Sequence, residues 1–307
     1  MTSPPPRIDA HHHLWQLGRF PYDWLAPHSP PRPFGDHRAL KRDYLLTDYL
    51  TDIAGTGITG SVFVEANAGA QAAREVEWVD EVASQAALPS AAVGHVDLRR
   101  ADVASILSEF QRSSRMRGVR MSLCWDERPQ WRFIERPDVM LSDEFRAGLA
   151  ILTRHDLAFD ALVMPGQLSQ LAQLASDNPD QSIVINHLGT PWFDEARDKE
   201  AWQRGMRECA RHMNVAVKIS GLWTLDRKWR PDIIRGPVRF VVEAFGTDRC
   251  LWGSNLPVEK VMCPMDEQIA NLDQVLADLS EHERNQVFRA TAMRVYKIDG
   301  AGGHAIG

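Results

Sequence analysis

Residues 158–186 read AFDALVMPGQLSQLAQLASDNPDQSIVIN, and this segment shows how the chain is organised. The apolar run Ala158–Val163 reads as a buried strand, Leu168–Ala175 carries apolar residues at helical spacing, and Ser182–Asn186 is a second β-branched run. Strand, helix and strand in that order form a βαβ unit, whose two strands lie parallel.

The pattern repeats outward in both directions. Arg7–His11, Thr59–Ala66, Ala91–Val96 and Gly118–Leu123 read as strands before this unit, and Val215–Ser220 and Arg249–Gly253 after it. Helical periodicity occupies Arg74–Ala86, Val103–Gln111, Asp143–Thr153, Lys199–His212 and Ile269–Leu279, with a last helix over Glu281–Val295. Eight strands alternating with helices predict an α/β chain folded as a (β/α)8 TIM barrel. An open doubly wound sheet would usually hold fewer strands, and no GxGxxG follows the first one. With no repeat or linker to divide it, 1–307 reads as a single domain.

Three connections exceed the usual few residues: Trp15–Lys41, which holds Pro21, Pro27, Pro30, Pro31 and Pro33, Trp125–Met140, and Leu222–Pro237. All leave the C-terminal ends of strands, where barrel enzymes build their sites.

Composition narrows the function. Hydrophobic residues at 44% and charged residues at 25% suit a globular core, and a net charge of −6 offers no basic surface for nucleic acid. The N-terminal MTSPPPRIDAHHH lacks the apolar stretch of a signal peptide, and no run of about 18 apolar residues occurs. The expectation is a soluble cytoplasmic protein, with neither membrane nor nucleic acid as partner and a small molecule as substrate. Cys124, Cys209, Cys250 and Cys263 form no CxxC pair and read as buried free thiols.

The first strand ends in Ile8-Asp9-Ala10-His11-His12-His13-Leu14-Trp15. Alternation along a strand puts His11 and His13 on one side and His12 on the other. Such a pair is weak evidence taken singly. His187, in Ile185-Asn186-His187-Leu188-Gly189, sits where the sixth strand meets a turn and on its own is as readily a satisfied core histidine as a ligand. Together His11, His13 and His187 give three imidazoles on one barrel, a partial Zn²⁺ site.

The chain here resembles a known family. Asp9-Ala10-His11-x-His13-x-Trp15, Gly118-Val119-Arg120, the His187-Leu188-Gly189-x-Pro191 turn and Trp252-Gly253-Ser254-Asn255-Leu256-Pro257-Val258 are similar to motifs of the amidohydrolase superfamily, in the branch containing sugar-lactone and pyrone-dicarboxylate lactonases. The resemblance runs from Ile8 to about Tyr296. It implies a lactone-opening hydrolase in which His11, His13 and His187 bind a divalent metal, zinc by preference, or the substrate directly, since the branch includes metal-free members.

Asn255 departs from this pattern, which has an aspartate before the Pro-Val. An amide orients water but has no basic lone pair to take its proton. Another carboxylate could serve, the subgroup could differ naturally, or an aspartate could have been replaced deliberately; all three stay open. Glu65, closing Val62-Phe63-Val64, is the candidate substitute, with a structural ion pair to Arg120 or Lys218 as the competing reading. Arg120 and Lys218, cations in apolar strands, read either as carbonyl-polarising groups or as ordinary interior ion pairs, and Asp9 and Asp160 as structural acids. Trp15, Trp125, Trp192 and Trp223 follow strands and read as an aromatic wall for a ring-shaped substrate, although loop packing would account for any two.

Two rival functions compete with this reading. A metal-dependent decarboxylase of aromatic acids would need a histidine ending the fifth strand, where Val163-Met164-Pro165 has none. A non-catalytic binding protein has only Asn255 in its favour. Substrate, metal and oligomeric state are not legible.

Overall fold

The structure, a computed structural model, describes residues 4–193 and 196–299. Strands β1 (Arg7–His12), β2 (Ile58–Val64), β3 (Ala91–His95), β4 (Met116–Ser122), β5 (Ala158–Leu162), β6 (Ile183–Ile185), β7 (Val215–Ile219) and β8 (Cys250–Trp252) form one sheet in sequence order. Each pairs parallel with the next. The ring closes just beyond the ends of β1 and β8. Asn255 N–H donates to His11 O at 2.7 Å and His13 N–H to Leu256 O at 2.8 Å. Below these bonds the Asp9 carboxylate accepts from Ser254 N at 2.8 Å and Ser254 Oγ at 2.6 Å. This is the expected (β/α)8 barrel.

Helices α1 (Leu46–Asp52), α2 (Ala72–Ala83), α3 (Val103–Phe110), α4 (Asp143–Arg154), α5 (Leu168–Asp177), α6 (Ala196–Ala210), α7 (Pro231–Phe245) and α8 (Met265–Val275) surround the strands. Two of them lie outside the helices expected from the sequence. One is α1, only 7 residues long, whose apolar face of Leu46, Tyr49, Leu50 and Ile53 spans barely two turns. The other is α7, which starts at Pro231 inside the expected connection Leu222–Pro237 and runs through Pro237. Proline suits the first helical position, and the bond lost at Pro237 falls at Ile233, which is 36% exposed. α8 also begins four residues before the expected Ile269, directly after Pro264.

An inner cluster of Ile8, Ala10, Val62, Val93, Val184 and Leu251 fills the lower barrel, and Tyr296 from the C-terminal helical segment plugs it. Among the described residues, no helix is long and apolar enough to cross a membrane. All four cysteines are buried and free.

Candidate active site

β1 delivers two histidines to the barrel mouth through a break in its register between Asp9 and His12. Ile8 and Ala10 face the interior below this irregularity, and His11 faces it above. A register break of this kind re-aims side chains. His12 points the other way, with its ring stacked on Tyr49 at 3.9 Å and Nε2 3.0 Å from Ser61 Oγ. His187 arrives through a strained turn in which His187, Leu188, Gly189 and Thr190 have φ of 52°, 52°, 68° and 50°.

The three imidazoles meet. Ring centroids are 5.0 Å apart for His11 and His13 and 4.5 Å for His11 and His187. Val64 O accepts from His13 Nδ1 at 2.7 Å, which fixes the tautomer and leaves the Nε2 lone pair free to face the site. His187 Nδ1 is 2.9 Å from Ser220 Oγ. His11 Nε2 is buried with no hydrogen-bond partner. Two glycines make room: a Cβ on Gly221, at φ 62°, would lie 2.5 Å from the His187 ring, and one on Gly253 would lie 2.7 Å from His11 Cβ.

Burial, reinforced by the surrounding cations, holds all three rings neutral. It pushes His13 down to about 4, with Arg120 adding to the effect. His11 is driven well below its ordinary value by burial and then Lys218, and His187 by burial and then Arg120.

A cavity of roughly 820 Å³, including its open mouth, lies over these groups. His13, His187, Arg120, Asn255, Ser122 and Thr190 supply its polar surface. Trp24, Phe34, Trp131, Phe133 and Trp223 form its walls. The shape and mixed lining suit a small ring-shaped molecule.

Arg120 donates from Nε to Glu65 Oε1 at 2.7 Å and from Nη2 to Glu65 O at 2.7 Å. Burial alone would raise the Glu65 carboxyl, but Arg120, His95 and the Asn67 N–H bring it below its ordinary value. Glu65 is therefore an ionised, fully engaged partner behind the wall, and the expectation of a free substitute base is corrected. Lys218 is corrected as well. It is wholly buried, ion-paired with Asp160 at 2.7 Å, and absent from the cavity lining. Asp160 also accepts from Asn186 Nδ2 at 3.1 Å and Tyr296 OH at 2.8 Å, so this network braces the floor on which His11 rests.

Of the four indoles expected at the site, only Trp223 lines the cavity. Trp15 is fully buried and donates to Arg42 O at 2.7 Å, because the proline-rich connection folds back over it. Trp125 lies to the side under the Arg132 guanidinium. Trp192 packs behind Trp131 and Trp223. Trp24 and Trp131 take the wall positions from deeper within the same long connections.

A buried acid was missed. Glu259 accepts from Trp229 Nε1 at 3.0 Å and Trp223 N at 3.4 Å. Burial raises its carboxyl to about 8, against hydrogen bonds from Trp229, Trp223 and the Asn255 side chain. Asn255 lines the cavity beside His13, and its carbonyl accepts from Glu259 N–H at 3.1 Å, which ties the two positions together. The available signal was an acid four residues after Asn255 in an otherwise apolar turn.

The donor set suits a borderline divalent ion: three neutral imidazoles, two with Nδ1 held by an oxygen, and an orphaned Nε2 on the third. Among the described residues, no three His, Cys, Asp or Glu side chains already stand in closed ligand geometry.

An amidohydrolase family model matches residues 8–298. The chain belongs to the amidohydrolase family. Among relatives of this amidohydrolase, an L-fucono-1,5-lactonase of Burkholderia ambifaria is 34% identical, with 95% of this chain and 96% of the relative covered. An uncharacterized protein of Sinorhizobium fredii is 32% identical over 95% of this chain and 98% of its own length. A Burkholderia multivorans amidohydrolase crystallised with bound zinc superposes with a TM-score of 0.80 at 28% identity, covering 95% and 99% of the two chains.

Proposed function

We propose that this amidohydrolase opens a lactone ring by adding water to the ring carbonyl. The observation that carries the reading is the convergence of His13, His187, Asn255 and Arg120 on one aromatic-walled cavity. The fuconolactonase relative, similar along nearly the whole chain, supports the reaction class.

His11, His13 and His187 would hold a divalent ion, with zinc favoured by the zinc-bearing relative. When bound, the ion polarises the carbonyl and lowers the pKa of water toward neutrality, which removes the need for a side-chain base. The protein's own groups then position and compensate. Asn255 orients the incoming water, Arg120 stabilises the negative charge that develops on the carbonyl oxygen, and the indoles exclude bulk water. Glu65 fixes the Arg120 fork in place.

The test is a panel of five- and six-membered lactones followed by acid release, with His187→Asn as the negative control. Release above the spontaneous rate that disappears in the variant supports the reading. Spontaneous rates across the whole panel, with zinc supplied, would overturn it.

A further inference from the structure

Trp223 is the hub of the cavity's aromatic wall. Its indole stacks on Trp131 with centroids 5.9 Å apart and planes 12° off parallel, and it meets Phe34 at 5.6 Å and Trp192 at 5.9 Å edge-on. Those partners belong to the connections after β4, β1 and β6, so a displaced Trp223 would loosen contacts with all of them at once. It is carried by Leu222–Thr224, a single 3-10 turn that follows Gly221 at φ 62°. So short a turn makes too few internal bonds to hold a large side chain by itself.

Glu259 supplies the anchor from the turn after β8. It is wholly buried and absent from the cavity lining. Its carboxyl grips the connection after β7 at two points, Oε1 accepting from Trp223 N at 3.4 Å and Oε2 from Trp229 Nε1 at 3.0 Å. Among the described residues, the Trp223 N–H has no other acceptor. Trp229 is itself fully buried, so the carboxyl ties the wall residue to a fixed point in the same connection. The Glu259 N–H, donating to Asn255 O at 3.1 Å, ties both to the turn that carries Asn255 and Val258 into the cavity. A buried carboxyl is costly to keep unless its hydrogen bonds serve a purpose.

From this geometry we infer that Glu259 is a positioning residue for ring binding: without touching the substrate, it fixes Trp223 and through it the aromatic wall. This role rests on the hydrolase reading above, in which the wall receives the ring of a lactone. A well-placed ring contact contributes about threefold to tenfold in affinity, which a displaced indole forfeits.

Two arms test the role, the first with neither ligand nor turnover. Near-ultraviolet circular dichroism of the intact protein reads the stacked Trp223–Trp131 pair as the part of the spectrum lost in Trp223→Ala. Glu259→Met is expected to lose the same part, to change nothing further in the Trp223→Ala background, and to be rescued by Glu259→Gln, which is isosteric and still accepts through its amide oxygen. A wild-type spectrum in Glu259→Met, or a full additional change in the double variant, overturns the proposal. Should Glu259→Met fail to fold, Trp229→Phe, which removes one of the carboxyl's two donors, enters the same cycle with the same two outcomes. In the second arm, on lactones that the wild type opens, Glu259→Met is expected to raise KM about threefold to tenfold, by more than kcat falls, and to have no such effect once Trp223 is alanine. A general loosening of the fold would raise KM in both backgrounds, and that result overturns the proposal. If no lactone is opened, the hydrolase reading fails and the first arm alone decides whether Glu259 holds the wall.

Discussion

Arg120 grips Glu65 twice, through the carboxylate at 2.7 Å and through the backbone carbonyl at 2.7 Å. Each charge is nearly desolvated, with side chains 9% and 2% exposed. Removing one partner strands the other, so Glu65→Gln and Arg120→Met are each expected to cost about 3–5 kcal/mol of stability. The double variant Glu65→Met/Arg120→Met should recover much of that loss in a denaturant titration. Activity should stay about 10²–10³ lower in both Arg120 variants, because the group facing the developing oxyanion is gone. Full activity in the double variant would show Arg120 to be structural only.

Asn255 invites substitution by the aspartate that the family resemblance places before Pro-Val. The adjoining Glu259 predicts disappointment. Asn255→Asp would place a second carboxyl against one whose pKa already lies near 8, and the two would share a proton instead of supplying a free base. The expected kcat at pH 7 is no higher than wild type. A rise of about 10² or more would instead identify position 255 as the natural seat of a general base.

Glu259 also sets a pH dependence of stability. Its carboxyl is raised from 4.5 to about 8 in the folded state, so the fold binds a proton that the unfolded chain has released between these values. Its contribution is complete below about 4.5 and is lost as pH rises toward 8, by on the order of a few kcal/mol. Glu75, raised to about 8 mainly by burial, acts in the same direction. Unfolding midpoints for Glu259→Gln should decline less steeply between pH 5 and 8 than those of wild type. Parallel curves would mean that Glu259 is ionised throughout.

Gly221 gives a handle on the metal without touching a histidine. A methyl there would meet the His187 ring at 2.5 Å in a backbone conformation of φ 62°. Gly221→Ala should therefore displace His187 and lower the zinc retained after dialysis, measured by elemental analysis. The protein should remain folded by circular dichroism, with about 1 kcal/mol or more lost. Wild-type zinc content in this variant would argue against His187 as a ligand.

The barrel was legible because Ile183-Val184-Ile185 and Val215-Ala216-Val217 are apolar on both faces, as strands sheathed by helices must be. His11, His13 and His187 could be brought to one end of that barrel from their places at strand ends. The interior register could not be read. Alternation from Ile8 and Ala10 would send His11 outward, and only the break in β1 turns it in. The aromatic wall failed for a different reason: Trp15, three residues past the end of β1, becomes loop core, while Trp24 reaches the cavity after the chain turns back. Glu259 takes its role from what faces it in the neighbouring connection, which local sequence does not contain.

Closure of the ring by Asn255 N–H on His11 O has a consequence for how the protein is made. The histidines of β1 leave the ribosome first, and the strand end that completes their setting leaves more than two hundred residues later. No nascent fragment ending before Asn255 can hold the finished site, so catalysis has to wait for the eighth strand and the turn after it. A fragment ending after α7, mixed with a second fragment carrying β8 onward, should be inert until the two halves join, which makes this junction a natural place to split the enzyme into a complementation reporter.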